Sequence, residues 1–272
     1  MNSTSITNPK TEAITHSIRN MKENFYDDSL DLTRIAESAN LSPWHFNRVF
    51  KQMVGIPPKK YLMALRLLES KKLLLESDWT STDICFEVGY NSLGTFTSKF
   101  SKEVAVSPNK FRKKKDNKSS SFEGISYGEG RYGSVQGQII VPENFSGTIF
   151  LGAFTSALPS GIPSSCCVIN TDSNTEFLLQ DLPIGNYYIF AAGFNHQVLA
   201  DSVLASQNFL RAGYFKSIQI TKKQKISLEY GLELRSEQET DPPLLASLPH
   251  IYEKIIEIMK DSNFEETKVL SS

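Results

Sequence analysis

Only three cysteines occur in the 272 residues, Cys85, Cys166 and Cys167, and two of them are neighbours. That excludes a disulfide framework and suits a reducing cytoplasm. Histidine is almost as scarce: His16 and His45 lie in the first half, and His196 and His250 are isolated in sequence. With no Cys-x-x-Cys pair beside them, they offer no metal-ligand spacing, and no metal or cofactor is expected. A P-loop and a Gly-x-Ser-x-Gly elbow are also missing, so no constellation supports an enzyme. No apolar run approaches the roughly 20 residues that a bilayer span requires. The polar stretch Met1 to Lys10 lacks the apolar segment of a signal peptide.

Charge is nearly balanced at −1, but it is unevenly placed. Between Lys10 and Lys115 there are 18 Lys and Arg against 12 Asp and Glu, and the remainder holds 11 against 18. A basic block joined to an acidic one suggests that only the first half meets a polyanion. The competing reading is a solvated surface that happens to be lopsided.

Within the basic half a segment repeats after about fifty residues. Ile35 to Lys51, ending near Gly55, Pro57, Pro58 and Tyr61, is followed by Ile84 to Ser101, ending near Ala105, Ser107, Pro108 and Phe111. Phe46 matches Phe96, Phe50 matches Phe100, Asn47 matches Thr97 and Arg48 matches Ser98. Each copy reads as helix, short turn, helix, the layout that sets a second helix into a DNA major groove.

Helix limits follow from local chemistry. Asn8-Pro9 opens a first helix with an apolar stripe of Ile14, Ile18, Met21 and Phe25. A second begins after Asp31 and stops at Asn40, a residue that tolerates a left-handed turn. Ser42 is expected to cap a third, with Phe46, Val49, Phe50 and Met53 inward. The spacing predicts a longer helix from Pro58 to about Glu76, with Tyr61, Leu62, Leu65, Leu68 and Leu75 inward. The second copy follows Thr80, with Gly89 at the turn and an outer helix from about Ser92 to Glu103. Pro108 starts a short closing helix that runs into Arg112, Lys113, Lys114 and Lys115.

This segment, from about Thr11 to Lys115, resembles the paired helix-turn-helix DNA-binding domain of the AraC/XylS transcription regulators. The resemblance rests on Phe50-Lys51, Gly55, Tyr61, Arg66, Leu73-Leu74, Ile84, Gly89-Tyr90, Phe100, Ser107-Pro108 and Phe111-Arg112. Ala105 departs from the family's usual Gly, Ser70 from Ala and Ser101 from Lys. The resemblance implies a regulator that binds double-stranded DNA and activates by contact with RNA polymerase. The Pro-Cys-His-Arg nucleophile found where such units are coupled to DNA-repair methyltransfer is absent.

The outward faces supply the candidate contacts. On the first copy these are Trp44, His45, Asn47, Arg48 and Lys51; Arg48 can pair bidentately with guanine and Asn47 with a base edge. On the second they are Leu93, Gly94, Thr97 and Ser98, with Lys102 farther along, and such short side chains suit methyl, phosphate or shape contacts. For Arg48 the competing reading is a surface arginine paired with a nearby acid. For Trp44 it is packing at the helix N-terminus.

After Lys115 the composition changes, and residues 116–133 read as a polar linker. Beyond it the hydrophobic period becomes two. Candidate strands are Ser134–Val141, Thr148–Phe154, Cys166–Asn170, Glu176–Gln180, Tyr187–Gly193, Ser217–Ile220 and Ile226–Leu234. The expected fold is therefore multi-domain α + β: an all-α double helix-turn-helix domain over 8–115, then an antiparallel β-sandwich with a terminal helix over 134–262. Thr175 to Ile189 is similar to the strand–turn–strand of carboxypeptidase regulatory-like, transthyretin-type sandwiches, and Gly137 would fit their first strand. Asn174-Thr175-Glu176 replaces their usual Asp-Gly turn. The stretch His196 to Phe215 reads as a long loop whose Phe209, Arg211 and Tyr214 could hold a small-molecule effector, or could plug one end of the core. Leu244, Leu248, Ile251, Tyr252, Ile255 and Met259 form an amphipathic helix that packs on the sandwich or pairs with a second copy in a homodimer.

The function expected is a cytoplasmic, sequence-specific DNA-binding regulator whose second domain senses a ligand or oligomerises. The alternative is a second domain that is purely a protein-interaction scaffold; a DNA-linked enzyme is the third reading.

Overall fold

The computed structural model describes residues 8–113, 132–171, 175–195 and 209–246. The chain divides into two compact units. One comprises Met1–Arg112 with the short segments Ala157–Pro159 and Glu237–Leu245, and the other Lys113–Ser156, Ser160–Ser236 and Ala246–Ser272. Residues 116–131 of the expected linker, the effector loop from residue 196 to 208 and the terminal helix beyond Ala246 lie outside the described residues, and Gly133, expected to end the linker, begins a strand. Leu244, expected to open that helix, is buried in a non-helical segment.

The helical unit contains α1 (Pro9–Asn24), α2 (Leu32–Ser38), α3 (Pro43–Val54), α4 (Pro58–Glu76), α5 (Ser81–Glu87), α6 (Leu93–Val104) and α7 (Pro108–Lys113). Their starts follow the expected chemistry. Asn8 accepts from the Lys10 N–H, Asp31 from that of Arg34, and Thr80 and Asp83 form a reciprocal capping box. Ser42 occupies the cap position of α3, yet its side chain makes no capping bond, whereas Ser92 accepts from the Thr95 N–H. Pro43 at the first turn removes one N–H that would otherwise need a partner.

The repeat is visible as two equivalent aromatic clusters. In the first copy the Phe46 and Phe50 rings lie 5.5 Å apart, and Tyr61 of α4 meets Phe50 at 5.5 Å. In the second, Phe96 and Phe100 are 5.8 Å apart, and Phe111 of α7 meets Phe100 at 5.7 Å. All five Phe and Tyr61 are buried, each ring edge or tilt pairing adding to the hydrophobic gain of its burial. Three inward positions differ from expectation. Phe25, just after α1, is half-buried, and so are Leu68 on α4 and Met53 on α3, where Leu67 and Val54 are buried instead.

The two copies also share a left-handed residue after the outer helix, Gly55 at φ 84° and Ala105 at φ 70°. An L side chain there costs about 1–2 kcal/mol, partly offset by the lower chain entropy of unfolded alanine. Ala105→Gly is therefore expected to stabilise the helical unit by about 0.5–1 kcal/mol. An unchanged or lowered melting temperature would show that the strain is relieved elsewhere.

The second unit has β1 (Gly133–Ile140), β2 (Gly147–Phe154), β3 (Ser165–Asn170), β4 (Glu176–Leu182), β5 (Gly185–Asn195), β6 (Leu210–Ile220), β7 (Lys225–Ser227) and β8 (Leu232–Glu233). One sheet runs β4-β1-β7 with β8 also on β1, and the other β3-β2-β5-β6. Both contribute to one core, with Val135 and Phe177 from the first and Ile149, Leu151 and Ile189 from the second. The expectation of a purely antiparallel fold is corrected: β7 and β8 both pair parallel to β1. The expected strand Ile226–Leu234 is split into these two pieces. Gly137 lies opposite Phe177, and a Cβ there would come within 2.9 Å of the Phe177 ring. Cys167 packs against the core, and burial pushes its thiol up to about 12. Among the described residues no helix is long and apolar enough to cross a membrane, and no group of three metal-ligating side chains occurs.

Candidate nucleic-acid interface

The inner stripe of α3 dictates its outer face. Phe46, Val49, Phe50 and Val54 are buried, so the remaining positions of a 3.6-residue period must face outward. Trp44 is 74% exposed, and Asn47, Arg48 and Lys51 are exposed beside it. His45 is half-buried. The Arg48 guanidinium lies 5.4 Å from the Trp44 ring centroid, with its Nη2 3.4 Å from His45 Nδ1.

This arrangement bears on the readings of Arg48 and Trp44. Arg48 has no acidic partner among the described residues; it rests on an aromatic face. A guanidinium held that way keeps its planar donor edge open for a bidentate acceptor while losing less side-chain freedom on contact. Trp44 is not packed at the helix start, since most of its surface is open. A large ring so exposed is costly in water and gains by covering an apolar partner such as a thymine methyl.

On α6 the buried stripe is Phe96, Phe100, Glu103 and Val104. Leu93, 39% exposed, begins the outer face, followed by exposed Gly94 and Ser98, half-buried Thr97, and exposed Lys102. A Cβ at Gly94 would meet nothing closer than Ser92 Oγ at 3.8 Å. The openness at that point lets a backbone or sugar approach the helix closely. The two outer faces therefore differ in chemistry as well as in sequence: one presents a stacked cation and an indole, the other short and mostly neutral groups.

The frame between them is α4, which at 19 residues is about 28 Å long. Arg66 ties this helix to the end of α1 by donating from Nε to Phe25 O at 2.7 Å and from Nη2 to Asp27 O at 2.8 Å. Its guanidinium lies 5.9 Å from the Tyr90 ring. In the sequence Arg66 and Tyr90 stand out only through the family resemblance and Gly89 also through its turn; their joint role in joining the copies is not legible there. The signal available is an arginine set among Leu65, Leu67 and Leu68 on one helix.

The residues expected to hold an effector are placed differently from expectation. Leu210–Ile220 is strand β6, so Arg211 and Tyr214 are not on a loop. Arg211 is 4% exposed, its backbone pairs with Arg235 in both directions, and its guanidinium lies 5.8 Å from the Phe209 ring. Tyr214 packs partly against the core. Arg211 is thus buried on a strand, not presented on the open effector loop that the sequence suggested.

Residues 35–114 match a family described as a helix-turn-helix domain. Over 86 residues the chain is 36% identical to PqrA of Proteus vulgaris, a probable transcription factor, covering 32% of this chain and 70% of that protein. Over 94 residues it is 32% identical to the transcriptional activator RhaS of Escherichia coli, covering 35% of this chain and 34% of RhaS. The chain thus spans about a third of the length of RhaS. Among solved structures it is similar to the C-terminal domain of AraT, a response regulator from Geobacillus stearothermophilus. That likeness has 27% identity and a TM-score of 0.37, and covers 43% of this chain and 94% of that one.

Proposed function

The chain belongs to the AraC-type helix-turn-helix transcription regulators, and from that premise we propose that it reads its DNA site asymmetrically, with α3 discriminating bases and α6 following backbone and groove shape. The observation that carries this reading is the Arg48–Trp44 stack on the exposed face of α3, with no counterpart on α6. Lys51 and Lys102 supply phosphate contacts on the two helices, and the basic balance of residues 10–115 favours a polyanion. The DNA-binding region is assigned to 8–115, and the β-rich unit from about 134 is read as a sandwich that senses a ligand or oligomerises. Activation is proposed from the naming of RhaS as an activator; RNA polymerase as partner rests on the family resemblance, and a cytoplasmic setting on the scarcity of cysteine. An interaction scaffold is the other reading of the second unit, and the burial of Arg211 favours it over an effector site on β6.

The test is a selected-site binding experiment on the full chain. Arg48→Ala is expected to lose about 1–3 kcal/mol at the preferred site and to relax preference at one or two base pairs. Ser98→Ala should lose less than about 0.5 kcal/mol. A half-site under α6 that proved the more stringent of the two would reverse the assignment.

A further inference from the structure

The helical unit contains a groove of about 880 Å³ lined by both helix-turn-helix copies and by α4. That volume is in the range of sites for drug-sized molecules, about 300–1,000 Å³. Its apolar lining comes from Leu30 and Ile35 in the first copy and from Leu62 and Met63 on α4. Lys59, Lys60 and Lys99 line it as well. Lys59 and Lys99 are exposed and have no hydrogen-bond or ion-pair partner among the described residues. Carboxylates are also present, but each is already engaged by a neighbour. Asp31 caps α2, Glu103 faces the Lys60 ammonium, and Asp28 faces Arg66. Lys60 is half-buried, and desolvation holds its ammonium below the ordinary lysine value despite Glu103. A second anion nearby would favour its charged form.

One wall group is unsatisfied. The Tyr90 hydroxyl is closed off from solvent and has no hydrogen-bond partner among the described residues, and burial keeps it protonated by pushing its pKa up to about 12. A buried hydroxyl in that condition is costly, and a ligand oxygen reaching it would remove the cost.

We propose that this groove binds a small amphipathic anion, its apolar body against Leu30, Ile35, Leu62 and Met63, its charged head among Lys59, Lys60 and Lys99, and Tyr90 as the wall hydroxyl that gains a partner. The occupant touches both copies, so its binding and the relative setting of α3 and α6 are linked.

The probe is decanoate, titrated into the full chain by displacement of fluorescent 1-anilinonaphthalene-8-sulfonate, with decyltrimethylammonium as its cationic counterpart. Decanoate should bind at least about tenfold more tightly than the cation. Met63→Trp, which fills the groove, should weaken decanoate by about tenfold or more. The pair Lys59→Gln and Lys99→Gln should weaken it by about tenfold while leaving the melting temperature unchanged. Tyr90→Phe should weaken it by about threefold without lowering the melting temperature, because an unsatisfied group is removed. Equal affinity for the cation, or decanoate binding indifferent to Met63→Trp and to the lysine pair, overturns the proposal. So does a lysine pair that leaves decanoate unaffected but flattens the salt dependence of duplex binding, since the groove would then face DNA phosphate. Duplex binding without decanoate is measured separately, so failure here is distinct from failure of the DNA-binding reading.

Discussion

Replacing Gly89 by alanine is expected to destabilise the helical unit by about 3 kcal/mol or more, enough to threaten its cooperative folding. Gly89 sits at φ 80°, where any L side chain costs about 1–2 kcal/mol. The larger part is steric. A Cβ would lie 2.8 Å from Tyr26 O, 2.9 Å from Phe25 O and 3.1 Å from Arg66 Cζ. Backbone carbonyls cannot swing aside as a side-chain tip can, and Phe25 O is held by Arg66 Nε. Relieving the clash would loosen the same contact that fastens α4 to α1. Asn40 is the control, occupying the equivalent turn of the first copy at φ 52°. Asn40→Ala should bear only the left-handed cost of about 1–2 kcal/mol. Both tryptophans, Trp44 and Trp79, belong to the helical unit, so their fluorescence in urea follows it alone. Equal midpoints for the two variants would show that the Gly89 turn yields easily.

The helical half was legible because its signals are local. Proline at the first turn, Asn, Asp, Ser or Thr before it, and apolar residues three and four apart placed the helix starts within a residue or so. The outward faces of α3 and α6 followed by subtraction from the buried stripes, which is why the exposure of Trp44 and Arg48 could be read from the sequence. What stayed hidden depends on partners distant in sequence. Leu67 rather than Leu68 is buried because the approach of neighbouring helices selects one side of a nearly continuous leucine run. Alternation in Ile226–Leu234 looked like one strand, but β7 and β8 attach to separate stretches of β1 by parallel pairing, which no local pattern encodes. Arg211 looked like a loop cation because guanidinium groups are mostly exposed; a central place on β6 buries it. The groove beside Tyr90 exists only after two copies and α4 are assembled, so its lining is scattered from Asp28 to Glu103.

Lys71 is the plainest case of a residue whose sequence reading misleads, and it supports a second large effect. It lies on α4 with no exposed surface, where a surface lysine would be assumed. Its ammonium is 5.9 Å from the Phe111 ring, a favourable face for a cation, yet burial pushes its pKa down to about 7. Unfolded, the same group keeps the ordinary lysine value near 10.4. Between about pH 7 and pH 10.4 the unfolded chain therefore binds more protons than the folded one, and stability rises with pH across that window. Below pH 7 the full penalty of a buried charge remains, on the order of 4 kcal/mol. From pH 7 to pH 9 roughly half of it should vanish, a gain of about 2 kcal/mol. Cys85 and Tyr90, whose pKa values burial raises, oppose this trend at higher pH, so the comparison must be made against Lys71→Met, which shares them. Lys71→Met removes the titrating group, so relative to it the native chain should gain about 2 kcal/mol between pH 7 and pH 9. Urea unfolding followed by tryptophan fluorescence at the two pH values measures it. Parallel pH curves for the two proteins would mean that Lys71 keeps its proton in the fold, and the desolvation account would then be wrong.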